Sequence, residues 1–327
     1  MPLEPLPFCA SSPADRLVLG CAAMLGSVDR RRSVQAIGTA LDAGIRHFDV
    51  ARSYGYGQAE RLLGRCLGHR RQAVRIIGKY GIPPAAGLRA NLIRTLRGGM
   101  VGIRYWRWRR PPGVDLSGSA FWSPAALREG LETSLRELRS DWLDVLLLHT
   151  PPADILARGE LIGELERLRE RGKVLLWGIS GGPADRPEDV PAVPCVQFAH
   201  SLFDDPLAAP CAPQRRLVHH VFGGRHGWQR LVGALAAARA QLPAGLADRL
   251  SADPGLVAEI GLQGALAAAH AQQAVIAMFT PAHLAANLAA LTQPRLHPTE
   301  LHHILRVLRQ PRSGLADGFS GSMGTES

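Results

Sequence analysis

Lysine is almost missing from this chain. Of 38 basic residues only Lys79 and Lys173 are lysines, and the remainder are arginine. Codon drift toward G and C produces such a bias without any functional reason. Each surviving lysine still matters, because an ammonium group can give up its proton and a guanidinium cannot. Cysteine is sparse as well: five residues, at positions 9, 21, 66, 195 and 211, with no CxxC pair. That odd, scattered set excludes a disulfide framework and a zinc knuckle, and reduced, mostly buried thiols are expected. No apolar run reaches the ~20 residues that a membrane-crossing helix needs. The opening MPLEPLPFC lacks the basic start and apolar core of a secretion signal, so a cytoplasmic location is expected. No GxGxxG follows the first strand-like run, which continues as GCAAMLG. This counts against an open dinucleotide-binding sheet.

The net charge is +10, which raises the local concentration of anions. The positive residues are scattered through helix-like segments, however. The one dense run is RYWRWRR at 104–110, and no nucleic-acid-binding module accompanies it. Neither nucleic acid nor membrane is expected as a partner.

The rest of the chain is well supplied with short apolar runs alternating with helical patterns. Strands are predicted at 16–21, 45–50, 74–79, 143–149, 174–180, 193–199, 216–222 and 274–279. Helices are predicted at 33–43, 58–67, 124–138, 160–171, 228–241, 254–272, 281–291 and 298–308. LDVLLLH at 143–149 is apolar almost throughout, as befits a parallel strand buried on both faces. Eight strands mostly separated by helices predict an α/β fold, a single (β/α)8 barrel. A length of 327 residues suits one such barrel with insertions. A single domain over 1–327 is expected, with a long active-face loop at 80–123, an extra C-terminal helix and a flexible Gly/Ser-rich tail at 312–327.

In such a barrel, catalytic groups stand where strands end. The second strand ends near Asp49, with Tyr54 five residues on; the third ends in Lys79, the fourth in His149 and the fifth in Ser180, and the sixth contains Gln197. Asp, Tyr, Lys and His form a coherent proton-transfer set. A phenol ordinarily titrates near pH ~10, and an adjacent ammonium lowers that value. Lys79 is expected to supply the charge and Asp49 to hold Lys79. His149 is expected to donate a hydrogen bond to a carbonyl oxygen, and Tyr54 to protonate it. Each residue alone has an ordinary structural explanation. Their shared position just past apolar strands carries the argument. His219, His220 and His226 suggest a metal at first sight, but adjacent strand residues point to opposite faces. No metal site is expected.

HFDVARSYGYGQAERLLG (47–64) resembles the signature of the aldo-keto reductase family, where a strand-end Asp precedes Tyr-Gly, an acidic residue and Leu-Gly. DWLDVLLLHTP (141–151), RERGKVLLWGIS (169–180) and VIAMFTPAHLAANLAAL (275–291) are similar to further segments of that family. The resemblance runs from about residue 16 to 310. It implies an oxidoreductase that interconverts a carbonyl compound, such as an aldehyde, ketone or aldose, and an alcohol by hydride transfer. It implies catalysis by Asp49, Tyr54, Lys79 and His149. NADP(H) is implied in preference to NAD(H), with Asp49, Ser180, Gln197, His219, Phe222, Thr280, His283 and Asn287 around the cofactor. Thr280-Pro281 also has the form of a capped helix start, where an anion is favoured. The chain departs from the family pattern at Gly181, where Asn is frequent, and at His219, where a larger aromatic is common. A nicotinamide-nucleotide sensor with little turnover is the alternative on the same barrel. Substrate and oligomeric state are left open.

Overall fold

The computed structural model describes residues 12–84, 121–190, 192–210, 213–224 and 226–309. Most of the expected active-face loop and the whole expected tail lie outside these residues, as does the 104–110 run.

Eight strands close a barrel in sequence order: β1 (Leu17–Gly20), β2 (His47–Asp49), β3 (Arg75–Tyr80), β4 (Leu143–His149), β5 (Val174–Ser180), β6 (Cys195–Ala199), β7 (Arg215–His219) and β8 (Gln273–Ile276). Every neighbouring pair is parallel, including β8 with β1. Around it stand α1 (Arg30–Asp42), α2 (Ala59–Leu67), α3 (Pro124–Leu138), α4 (Gly159–Glu170), α5 (Gly227–Ala238), α6 (Ala244–Ala252), α7 (Pro254–Ala268), α8 (Pro281–Thr292) and α9 (Pro298–Arg309). Among the described residues, no helix is long and apolar enough to cross a membrane.

Side chains alternate across each strand, and both faces are apolar. Val18, Ile77, Val145, Leu147, Cys195 and Leu217 fill the interior. Leu17, Leu19, Ile76, Leu146, Leu148, Val196 and Val218 face the helices in a separate cluster. Burying each such side chain stabilises the fold by roughly 1.5–3 kcal/mol, and the helix-covered outer face explains the nearly continuous apolar runs. A second cluster, including Leu202, Leu231, Leu256, Ile260 and Ile304, lies among α5, α7 and α9.

Helix starts follow local capping chemistry. Asp29 accepts from the Arg32 amide at 2.9 Å and Ser123 from Ala126 at 3.3 Å ahead of Pro124. Each cap of this kind is worth about 1 kcal/mol. Asp29 explains why α1 begins at Arg30, before the expected Ser33.

Two departures from the sequence expectation have clear causes. The seventh strand stops at His219, because His220 adopts a left-handed backbone with φ of 57°. Val221 and Phe222 therefore lie in the following turn. Helix α6 was not expected at all. Among the described residues it buries only Leu246, Ala247 and Leu250, so its apolar period barely repeats.

Candidate active site

The interior alternation builds the site. Two residues beyond interior Ile77, Leu147, Cys195 and Leu217 come Lys79, His149, Gln197 and His219. Asp49 is in register with Gly20 and Ile77, and Ser180 with His149 and Gln197. These six side chains form the top interior layer, at the strands' C-terminal ends.

Tyr54 enters from the turn after β2. Residues 55–57 of that turn all have positive φ, from 55° to 85°. A Cβ on Gly55 would sit 2.8 Å from the Met24 carbonyl oxygen, so only glycine fits there. The turn carries the phenol back over the barrel, where its ring meets His149 edge-on, with centroids 6.3 Å apart.

One hydrogen-bonded chain links the set. Lys79 Nζ donates to Asp49 Oδ1 and, at 3.1 Å, to Tyr54 Oη. Gln197 Nε2 donates to Asp49 Oδ2 at 2.8 Å. Ser180 Oγ donates to Gln197 Oε1 at 2.9 Å. Asp49 and Lys79 are 2% and 4% exposed, so their pairing is dry.

The electrostatics follow from that dryness. Burial opposes a charged Lys79, but Asp49 and Tyr54 outweigh it and raise the ammonium's pKa above its usual value. Burial pushes the Tyr54 phenol up to about 12, and the Asp49 charge adds to this; Lys79 pulls the other way and loses. The expectation that Lys79 would leave Tyr54 more acidic than a free phenol is therefore corrected. Tyr54 is a fully protonated donor at neutral pH. Burial, with the Lys79 charge, also holds His149 down at about 3, so its imidazole is neutral. Burial dominates for His219 as well, again giving about 3. In both rings Nδ1 is buried with no hydrogen-bond partner among the described residues. A buried polar atom left without a partner is uncommon in a folded protein.

Asp49, Tyr54, Lys79, His149, Ser180, Gln197 and His219 are thus brought together. Phe222 is not in that layer. Its ring packs on Trp228, centroids 5.7 Å apart, and against Gly261 of α7. Thr280 caps α8 by accepting from the His283 amide at 3.2 Å. His283 is exposed on the first turn, and Asn287 is buried one turn further. The His219–His220 pair corrects a second expectation. The left-handed His220 brings the two rings within 4.7 Å, where strand alternation would have parted them. Cys21, Cys66 and Cys195 are free. Burial raises the Cys21 thiol far above its usual range, which makes it inert.

Sequence reasoning gave Glu60, the acidic residue of the 47–64 motif, no part in the site. A signal was present: Glu60, Leu63, Gly64 and Leu67 recur at helical spacing and form the buried stripe of α2. A carboxyl in an apolar stripe is the anomaly.

The sequence model described as the Aldo/keto reductase family matches residues 16–209. The chain belongs to this family. The aldo/keto reductase match runs from β1 into the β6–β7 connection and stops short of α8, which carries Thr280, His283 and Asn287. The aldo-keto reductase YhdN of Bacillus subtilis is 26% identical over 208 residues, which is 61% of this chain and 54% of that protein. A probable aldo-keto reductase 1 of Glycine max is 25% identical over 61% of this chain and 51% of its own length. The chain spans about half the length of these curated relatives. Among solved structures, the holo form of the aldo-keto reductase AKR11C1 from Bacillus halodurans superposes with a TM-score of 0.64 at 21% identity, over 91% of this chain and 94% of that one. An aldo/keto reductase from Klebsiella pneumoniae, in complex with NADP and acetate, gives 0.59 at 20% identity, over 91% and 93%. At these identities the superpositions establish the (β/α)8 fold.

Proposed function

We propose that this aldo/keto reductase interconverts a carbonyl compound (an aldehyde, ketone or aldose) and its alcohol, using NADP(H) ahead of NAD(H), with Tyr54 as the general acid and base. The observation that carries the reading is Lys79 Nζ bonded at once to Asp49 and to the Tyr54 hydroxyl. The NADP complex of the Klebsiella relative supports the choice of nucleotide.

A bound nicotinamide would supply hydride to the carbonyl carbon. Ser180 and Gln197, with hydrogen-bonding groups at the mouth, suit its carboxamide, and His219 offers a ring to its face. Thr280, His283 and Asn287 would serve the adenosine end, where a capped helix start favours an anion; Phe222 would border it. The chain's own residues then manage the proton. Tyr54 Oη gives its proton to the carbonyl oxygen. Lys79 holds the phenol oxygen, and its charge offsets the negative charge that grows there as the proton leaves. Asp49 keeps Lys79 cationic despite burial. Neutral His149 can donate a ring N–H to the same carbonyl oxygen. Positioned acid–base transfer of this kind contributes roughly 10²–10⁴-fold in rate.

The test is a fluorescence titration with NADPH and NADH, followed by turnover of an aldehyde and ketone panel by wild type and Tyr54→Phe. Tight nucleotide binding, with turnover that the variant loses and binding that it keeps, is the expected result. Binding without turnover in wild type would favour a nucleotide sensor. A folded protein that binds neither nucleotide would overturn both readings.

A further inference from the structure

Glu60 lies in the first turn of α2, directly after the turn that holds Tyr54. It is 4% exposed. Its Oε1 is buried with no hydrogen-bond partner among the described residues. The carboxyl group shares a hydrogen bond with Ser134 of α3, and the charged groups facing it are Arg52, from the segment between Asp49 and Tyr54, and Glu137 of α3. Glu137 is occupied by Arg61, through Nε at 2.5 Å and Nη2 at 2.6 Å. Arg52 points elsewhere and donates from Nη1 to the Gly130 carbonyl at 3.2 Å.

The α2–α3 seam is tight close by. One turn along α2, Gly64 touches the α3 backbone: a Cβ there would lie 2.6 Å from the Leu138 carbonyl. A carboxylate sealed in such a place without a donor on one oxygen is costly, whereas a neutral acid is tolerable. We propose that Glu60 is a positioning residue for Tyr54: as a neutral acid it leaves Arg52 braced on Gly130, and on ionising it draws Arg52 away and shifts the turn that carries the phenol. The proposal rests on the reading of Tyr54 as the proton donor. Burial holds the Glu60 carboxyl up to about 7, against the pull of Ser134 and Arg52 and with a push from Glu137. The exchange therefore falls in the neutral range.

The experiment follows wild type, Glu60→Gln and Ser134→Ala across about pH 7. It uses the protonated-carboxyl infrared band, hydrogen exchange of residues 50–58 corrected for intrinsic pH dependence, and the pH profile of turnover. In wild type the band should bleach, exchange quicken and turnover decline together as pH rises. Glu60→Gln should lack the band, hold its acid-side rate and keep slow exchange. Ser134→Ala, which removes a bond that lowers the midpoint, should move all three transitions to higher pH. A wild-type band that Glu60→Gln retains would overturn the proposal. So would unchanged exchange and turnover profiles in Glu60→Gln, or an unmoved midpoint in Ser134→Ala. Loss of all turnover in every protein, with the infrared and exchange transitions intact, would count against the enzymatic reading and not against this one.

Discussion

Two buried ion pairs in this barrel do opposite jobs. At the mouth, Lys79 meets Asp49 with their side chains 2% and 3% exposed. Below β3 and β4, Arg71 meets Asp144 at 3.0 Å, 8% and 0% exposed. Arg71 is saturated. It donates to Ser140 Oγ, the Val74 carbonyl, the Trp142 carbonyl and Asp144, and lies over the Trp142 ring. Asp144 also accepts from the Ile76 amide at 2.9 Å. Five guanidinium donors in a fixed fork suit such a brace, and the charge never leaves. Lys79 shares a compact charge between a carboxylate and the phenol proposed above as the proton donor. The chain uses arginine where charge is to be fixed and one of its two lysines where it is to be shared. Glu60 is the third case, a buried carboxyl whose pKa burial raises to about 7.

That contrast can be broken by exchanging the cations. Lys79→Arg keeps the charge but replaces a compact ammonium with a planar fork that fits the Asp49–Tyr54 gap poorly. Turnover should fall by about a hundredfold or more, roughly 3 kcal/mol in the barrier, with nucleotide affinity largely kept. Steady-state kinetics showing near-normal turnover would mean that any cation suffices. Asp144→Asn leaves the Arg71 charge buried and uncompensated. It should cost about 3–5 kcal/mol of stability in urea unfolding and leave nucleotide binding unchanged. Glu60→Gln sharpens the third case. A carboxyl raised from 4.5 to about 7 on folding stabilises fully below pH ~4.5, and that contribution is lost as pH climbs to about 7. The stability of wild type relative to Glu60→Gln should therefore decline by up to about 3 kcal/mol over that window. The neutral, buried His149 and His219 give the opposite slope in both proteins, so only the difference is diagnostic. Smallest is Arg71→Lys, which should cost about 1–3 kcal/mol because an ammonium cannot reach Ser140 Oγ, the Val74 and Trp142 carbonyls and Asp144 at once.

Much of this was visible in the sequence, for a definite reason. Period-two alternation places Lys79, His149 and Gln197 on the same parity as interior apolar residues, and closure of the barrel turns that parity into one layer. The Gln197–Asp49 hydrogen bond, joining residues 148 apart, is a product of closure and has no local trace. Phe222 was misplaced because a single left-handed residue, His220, ends the alternation, and side-chain pattern does not register backbone hand. The acidity of Tyr54 was misjudged because desolvation is a tertiary property. The sequence shows the ammonium beside the phenol but not the dryness that outweighs it.

The scarcity of lysine has one more consequence. Lys173 keeps 39% of its side chain in solvent, while Lys79 is sealed beneath Tyr54. An amine-selective reagent should therefore mark Lys173 at once and reach the second side-chain amine only in molecules whose mouth has opened. The ratio of the two labels makes the protein its own gauge of how often that happens.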